Sequence, residues 1–406
     1  MFRQVPGGRL AEVYSARLVF LASVLLNILP TLLTPLASAL DHRVLAALRL
    51  VAGCGGGCTF PALNVMITAW SPPHERSLLA SICFGGASLG TIIATLSSGQ
   101  IKEDEASHIT IILGLLISYC GWEAVFYVHG SLSCIWCLLW LGLVSDAPQM
   151  HRFISEEERK MIIESQHTSH CSNNGPIPVP WRAMFTSPPF LTLSLTHLCN
   201  NFGWYMLLVE LPLFARTGLG VDMEVITLMS SLPFLANWVW SLVYSRILDH
   251  LRSQGSLSTL AARRLSVLVS SVLPGLCLLL IVIIGDNILG VVLLTTLAVM
   301  FYGSMFSGII NNNDTCSVIV IDVGVFSNHG DLAPNLAGTL MAVTNMVATL
   351  PGVLNPPVVG LMTQDTPGLG PWHSVFGFTI GVLILEVIIF FSFARSDVQP
   401  WNSPES

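Results

Sequence analysis

From Leu18 to Leu40 the chain reads LVFLASVLLNILPTLLTPLASAL, with no charged side chain in the run. Stretches of about 20 apolar residues are long enough to cross roughly 30 Å of hydrocarbon. Ten occur here, near 17–39, 44–70, 77–101, 122–145, 190–214, 224–248, 264–285, 287–310, 335–362 and 373–394. None shows the period-two alternation of a barrel strand, so each is expected to be a helix whose backbone polar groups are satisfied within the segment. The predicted fold class is an all-α membrane protein.

Composition agrees. Of 406 residues, 52% are hydrophobic and only 10% charged, against roughly 45–50% and 25% in ordinary globular chains. The net charge of -7 is small for this length, and Lys and Arg are scattered, so no basic face for nucleic acid is expected. The start carries no charged region, short apolar run and A-x-A site in series, so a cleaved signal peptide is not expected. Ten cysteines lie mostly inside apolar runs, where a thiol packs as a small hydrophobe. Cys54 with Cys58, and Cys134 with Cys137, have helical spacing but no further ligand to complete a metal set, and packing is the expected role.

Charge orients the spans. One set of alternate loops holds thirteen Lys and Arg residues, the other holds three (Arg43, Lys102 and Arg216), and Arg49 alone falls within a span. The positive-inside rule then puts both chain ends in the cytoplasm. Three signatures recur in order along the chain. GRLAE at 8–12 is echoed by SRILD at 245–249, Pro73 by Pro334, and WEAVF at 122–126 by WHSVF at 372–376, at separations of 237, 261 and 250 residues. Ordered recurrence at a near-constant offset implies two homologous halves, the parallel-repeat arrangement of major facilitator transporters. The expected organisation is a four-helix bundle over 1–145, a cytoplasmic linker over 146–189, a six-helix bundle over 190–396 and a cytoplasmic tail over 397–406. Within the linker, Ser155 and Glu158 form a capping box ahead of Met161, Ile162 and Ile163, predicting a short amphipathic helix.

PGGRLAE, TFPALNVMITAWSPPHERS, GWEAVFYVHG, ISEEER, SNHGDLAP, GTLMAVTN and DVQPWN together resemble the solute-carrier family of anion and phosphate cotransporters that includes sialin, the vesicular glutamate transporters and the sodium-phosphate cotransporters. The resemblance runs over nearly the whole chain. It implies a major facilitator fold, of which about ten of twelve helices are present, because the likeness begins at the end of the family's second helix. It further implies that a coupling glutamate and a histidine of the family fall at Gly56 and Asn64. IKEDEASHITIILG at 101–114 and IINNNDTCSVIVIDV at 309–323 interrupt the likeness as insertions. Both are expected to bulge from helix ends, since Asn311, Asn312, Asn313 and Asp314 have no place against lipid. The sequon at Asn313 is discounted, because the following loop is cytoplasmic by the charge count.

Arg49 is the first candidate for anion binding. An arginine at membrane depth costs about 2.5–3.5 kcal/mol or more and usually marks a substrate path, and its fork of donors suits carboxylate and phosphate. It also coincides with an arginine that the resemblance implies contacts substrate. The bland alternative is snorkelling to the interface near Asp41 and His42. The glycines from Gly53 to Gly57 are expected to allow close helix packing around a cavity. Asn64, Asn200, Asn201, Tyr205 and Asn345 complete the predicted substrate-binding set, with helix-to-helix hydrogen bonding as the alternative. Glu210, in LLVELP, is the candidate coupling acid; Glu386, in the last span, has no partner that the pattern names. Glu12, Arg17, His329 and Asp331 are the expected gate residues.

GASLG at 86–90 fits the G-x-S-x-G nucleophile pattern but lies in a small-residue helix without the strand-to-helix elbow that chemistry needs, so no enzyme is predicted. The expected function is secondary transport of a small organic or inorganic anion by alternating access, in a multi-pass protein of the plasma membrane or a lysosomal or vesicular membrane. The expected partners are the small anion and the lipid bilayer, with no nucleic acid, and no cofactor is expected apart from a co-transported sodium ion or proton. The other reading is a degenerate non-transporting relative, or the product of a faulty gene model.

Overall fold

The computed structural model describes residues 14–70, 89–95, 121–167, 179–254, 256–285, 287–306, 336–363, 368–395 and 397–402, with residues 7, 10, 11, 83, 86, 87, 332 and 333. The described residues are helices and connecting turns, with no strand among them. Seven helices among them are long and apolar enough to cross a membrane: Ala16–Leu40, Glu123–Leu143, Val225–Leu248, Leu260–Ile284, Ile288–Met305, Thr339–Thr363 and Leu369–Phe393. All seven coincide with predicted spans. The predicted span at 77–101 is described only in part, and those residues are mainly helical. The two insertions, 101–114 and 309–323, lie outside the described residues, as do Glu12, His329 and Asp331.

The chain divides into two compact units, residues 1–82 with 96–171, and residues 83–95 with 172–406. In the first, α1 (Ala16–Leu40) starts because the Ser15 side chain accepts from the Leu18 N–H at 3.1 Å. It stops at Asp41, whose extended backbone turns the chain and whose carboxylate caps α2 (His42–Gly56) through the Arg43 N–H at 3.0 Å. Pro30 and Pro35 sit inside α1, and the Thr31, Thr34 and Ser38 hydroxyls bond back to carbonyls of their own helix. Polar side chains so satisfied carry no open donor into lipid.

The apolar run 44–70 is not one helix but two. A turn at Gly57 and Cys58 separates α2 from α3 (Thr59–Trp70), because glycine is a poor helix former and three of them stand in succession at Gly55 to Gly57. Gly55 is buried against α1, where an added Cβ would lie 2.5 Å from Leu26 Cβ and 2.9 Å from the Ser23 carbonyl. The Ser23 hydroxyl donates to the Gly55 carbonyl at 2.8 Å and also meets the Thr59 hydroxyl. Gly53, by contrast, has nothing within 4 Å of that position, so only part of the predicted glycine run serves close packing. Across from α1, α4 (Glu123–Leu143) contributes Trp136 and Trp140, stacked at 4.9 Å, with Phe20 of α1 4.8 Å from Trp140. The linker helix α5 (Glu156–His167) forms as expected, with Ser155 accepting from the Glu158 N–H at 3.2 Å and three glutamates in its first turn.

The second unit contains α6 (Trp181–Thr186), α7 (Pro188–Thr217), α8 (Met223–Ser253), α9 (Thr259–Val267), α10 (Leu273–Ile284), α11 (Ile288–Tyr302), α12 (Ala337–Ala348), α13 (Pro351–Thr363) and α14 (Leu369–Phe393). Helices α9 and α10 are one rod joined by a π turn at Leu268–Val272. Pro274, just beyond it, has no N–H to give the preceding turn, which loosens the α-helical ladder there. The core is aromatic around Phe214, whose ring lies 5.1 Å from Trp372 and 5.0 Å from Phe376. Its exposure pattern is inverted relative to a water-soluble protein. Glu386, Ser270, Thr295, Thr344 and Asn355 are fully buried, while Ile283 and Leu289 stand about 70% and 69% exposed. Apolar side chains out and polar groups in is the arrangement lipid selects.

Candidate functional site

Arg49 lies in the second turn of α2, roughly 10 Å along the axis from the helix start at His42. It is exposed, and its guanidinium carbon stands 5.7 Å from the centroid of the Phe126 ring on α4, within reach of a cation–π attraction. Among the described residues no acid pairs with it. A fixed cation that keeps its hydrogen-bond donors uncommitted is chemically able to take a carboxylate or phosphate in bidentate fashion. About two turns further along α2, Gly56 leaves room: an added Cβ would be 3.6 Å from the Asn27 amide nitrogen. Asn64 is on α3, and its side chain lies outside the described residues.

Arg17 makes its contacts with the end of α4. Its guanidinium donates to the Leu141 carbonyl, its N–H to Asp146 Oδ1 at 2.9 Å, and its carbonyl accepts from Trp140 Nε1 at 3.2 Å. Asp146 also accepts from the Ser15 hydroxyl at 2.8 Å, so one carboxylate ties the start of α1 to the residues following α4.

In the second unit the predicted residues cluster on α7. This helix is 30 residues long but too polar to count among the seven apolar ones, and polar contacts join it to three neighbours. His197 Nδ1 is 3.3 Å from the Thr344 hydroxyl of α12. The Asn200 amide donates to Glu386 of α14, at 3.2 Å to Oε1 and 3.5 Å to Oε2. The Phe202 carbonyl accepts from Asn355 of α13 at 2.9 Å. Asn201 is half-buried; the Tyr205 ring packs on α13, 3.3 Å from where Gly352 would carry a Cβ; and Asn345 is half-buried on α12. Glu210 is buried near the far end of α7, with Oε1 lacking a hydrogen-bond partner.

For Asn200 the helix-to-helix alternative is therefore realised, and its partner is the acid that the sequence left unpaired. Around Glu386 stand the Tyr302 hydroxyl, buried without a hydrogen-bond partner, and Ser271 of the π turn, whose buried hydroxyl comes near the carboxyl without closing a bond of ordinary geometry. Gly203 makes this possible, since any Cβ there would collide with the Tyr302 oxygen. The one sequence signal for this cluster was an acid in the apolar run LILEVIIFF with no base nearby, which demands a partner but does not name it.

Residues 2–356 match the family model of the Major Facilitator Superfamily. Human sialin is 33% identical over 399 residues, covering 98% of this chain and 73% of that protein. An uncharacterised transporter, slc-17.2 of Caenorhabditis elegans, is 30% identical over 401 residues, with 98% and 75% covered. Human vesicular glutamate transporter 2 is 31% identical over 406 residues, and the chain spans 64% of its length. Among solved structures, a D-xylose-proton symporter matches with a TM-score of 0.66 at 11% identity over 97% of this chain and 84% of that one. A bacterial homologue of the human lysosomal transporter Spinster matches at 0.58 and 14% identity, over 97% and 85%.

Proposed function

Because the chain belongs to the major facilitator superfamily, we propose that it is a secondary transporter that moves a small anion across a membrane by alternating access, coupled to a sodium ion or proton. The observation that carries the anion is Arg49, an exposed cation on α2 in the apolar run 44–70, whose guanidinium faces a ring rather than an acid among the described residues. Lipid penalises such a residue unless it serves a hydrated path, and an arginine cannot shed its charge to escape the cost. Likeness to sialin over nearly the whole chain supports an acidic sugar or carboxylate as substrate class, and likeness to a vesicular glutamate transporter supports a carboxylate as well. The Lys and Arg asymmetry supports cytoplasmic chain ends, and likeness to a vesicular glutamate transporter supports a vesicular membrane among the plasma, lysosomal and vesicular membranes expected.

Within this reading, Asn201, Tyr205 and Asn345 supply neutral donors for the solute, and Asn64 is a further donor from α3. Glu210 carries the coupling proton, and Arg17 acts with Glu12, His329 and Asp331 at the gate. The test is uptake of radiolabelled sialic acid, glutamate and phosphate into proteoliposomes, with and without a pH or sodium gradient. Saturable uptake of one of them, accelerated by one gradient, is expected. Absence of uptake of all three under every gradient would overturn the assignment.

A further inference from the structure

We propose that Glu386 of α14, with Asn200 of α7, Ser271 of the π turn and Tyr302 of α11, forms a binding site for a monovalent cation, a proton or a sodium ion, inside the second unit. This site concerns binding, and it stands whether or not the chain moves an anion.

The argument begins with charge. The Glu386 side chain is fully buried and Asn200 is 4% exposed. The Asn200 amide reaches both carboxyl oxygens, at 3.2 and 3.5 Å, but an amide supplies a dipole and no counter-charge. Among the described residues, the groups that interact with Glu386 besides Asn200 are Cys199 of α7, Tyr302 of α11 and the hydroxyl of Ser271, none of which carries positive charge. Arg264 of α9 spends its guanidinium on the Phe391 carbonyl at 3.2 Å and the Phe391 ring at 5.4 Å. Elsewhere on α7, His197 faces Thr344 and Glu210 is about ten residues further along, while Cys277 and His373 lie away from the carboxyl. A carboxylate without a cation in such a place is among the costliest groups a protein can bury.

The surroundings are arranged for an occupant. Tyr302 and Ser271 each bury a hydroxyl with no ordinary hydrogen bond, although buried hydroxyls nearly always have one. Both interact with Glu386, Ser271 close to the carboxyl and Tyr302 through the carboxylate's charge. The π turn places two consecutive serines, Ser270 and Ser271, in the core, 0% and 1% exposed, and such turns concentrate at functional positions. Two carboxyl oxygens, two hydroxyl oxygens and the amide of Asn200, whose oxygen and nitrogen are interchangeable by rotation, make an oxygen-rich set of the kind hard cations choose. A proton needs only one of those oxygens. A cation of either kind removes the net charge and lets the hydroxyls find their missing partners.

The experiment is infrared difference spectroscopy on the full chain in lipid nanodiscs at neutral pH, in choline buffer and again in sodium buffer, for wild type, Glu386→Gln and Asn200→Ala. In choline, wild type is expected to show the carbonyl stretch of a protonated carboxylic acid. Glu386→Gln, which keeps shape and hydrogen bonding, loses that band. Asn200→Ala leaves the carboxyl in place but shifts the band, and so assigns it even if the glutamine variant fails to fold. If the band persists in sodium the occupant is a proton; if sodium erases it the occupant is sodium. Absence of a band in choline, or a band that neither variant alters, would overturn the proposal. Uptake measured on the same purified protein in proteoliposomes keeps the two readings apart, since the band is expected whether or not the anion moves.

Discussion

Arg49, on α2 in the apolar run 44–70, and Glu386, on the membrane-length α14, are both ionisable groups in apolar helices, and the molecule treats them in opposite ways. Among the described residues Arg49 stands exposed beside the Phe126 ring, whereas Glu386 is sealed in the core of the second unit against Asn200. The difference follows from what each group can do about its charge. A guanidinium stays protonated under all conditions a protein meets, so its only relief is access to water or an anion. A carboxyl can be neutralised by a proton or small cation and therefore tolerates enclosure. An exposed charge is available to a solute of any size that fits, and an enclosed one only to an ion.

The sharpest way to break this comparison is to remove the exposed charge. Arg49→Ala is expected to cut anion uptake by roughly 10–100-fold, the loss of a charged hydrogen-bonded contact of about 1.5–3 kcal/mol, with surface expression unchanged. Arg49→Lys should recover little of it, because an ammonium lacks the two-pronged geometry. Normal uptake by Arg49→Ala would reduce Arg49 to a snorkelling residue.

Enclosure on the other side is tested at Gly203. Adding a methyl there drives it into the Tyr302 oxygen, and overpacking of this kind costs about 1–3 kcal/mol. Thermal unfolding in detergent should shift downward for Gly203→Ala and partly recover in the double variant with Tyr302→Phe. Recovery would locate the clash at the hydroxyl, and an unchanged midpoint would show that the phenol is not held there.

Smaller effects come from α2. Gly55→Ala is expected to lower stability by about 1 kcal/mol or more by forcing α1 and α2 apart, while Gly53→Ala, open on every side, should be neutral or slightly stabilising through helix propensity. Equal behaviour of the two variants would contradict the close approach at Gly55. The smallest expected change is at Gly56, where the space beside Asn27 admits a side chain. Gly56→Glu should make uptake more steeply dependent on pH without loss of folded protein, and an unaltered pH profile would remove Gly56 from the coupling argument.

Hydropathy alone located every described membrane helix, and the reason is local. Whether a segment prefers lipid is a sum over its own 20 or so residues, so it is written in the run itself, as it is for Glu123–Leu143 and Leu369–Phe393. Capping is similarly local, and Ser155 and Glu158 announced the linker helix. Family membership was legible too, carried by strings such as TFPALNVMITAW and DVQPWN. The break at Gly57 and Cys58 was not, because three glycines within an apolar run are compatible with either a tight crossing or a turn. Only the packing of Gly55 on Ser23 and Leu26 distinguishes them. The same holds for Glu386 and Asn200, separated by 186 positions. Their meeting depends on the rotation and axial register of α7 and α14, fixed by the Phe214, Trp372 and Phe376 aromatic seam and by the space that Gly203 leaves for Tyr302. Sequence by itself picked out the seven described helices long and apolar enough to cross a membrane, and showed that one of them carries an unpaired acid. Tertiary structure decided what that acid faces, because a contact between helices is a property of two surfaces at once.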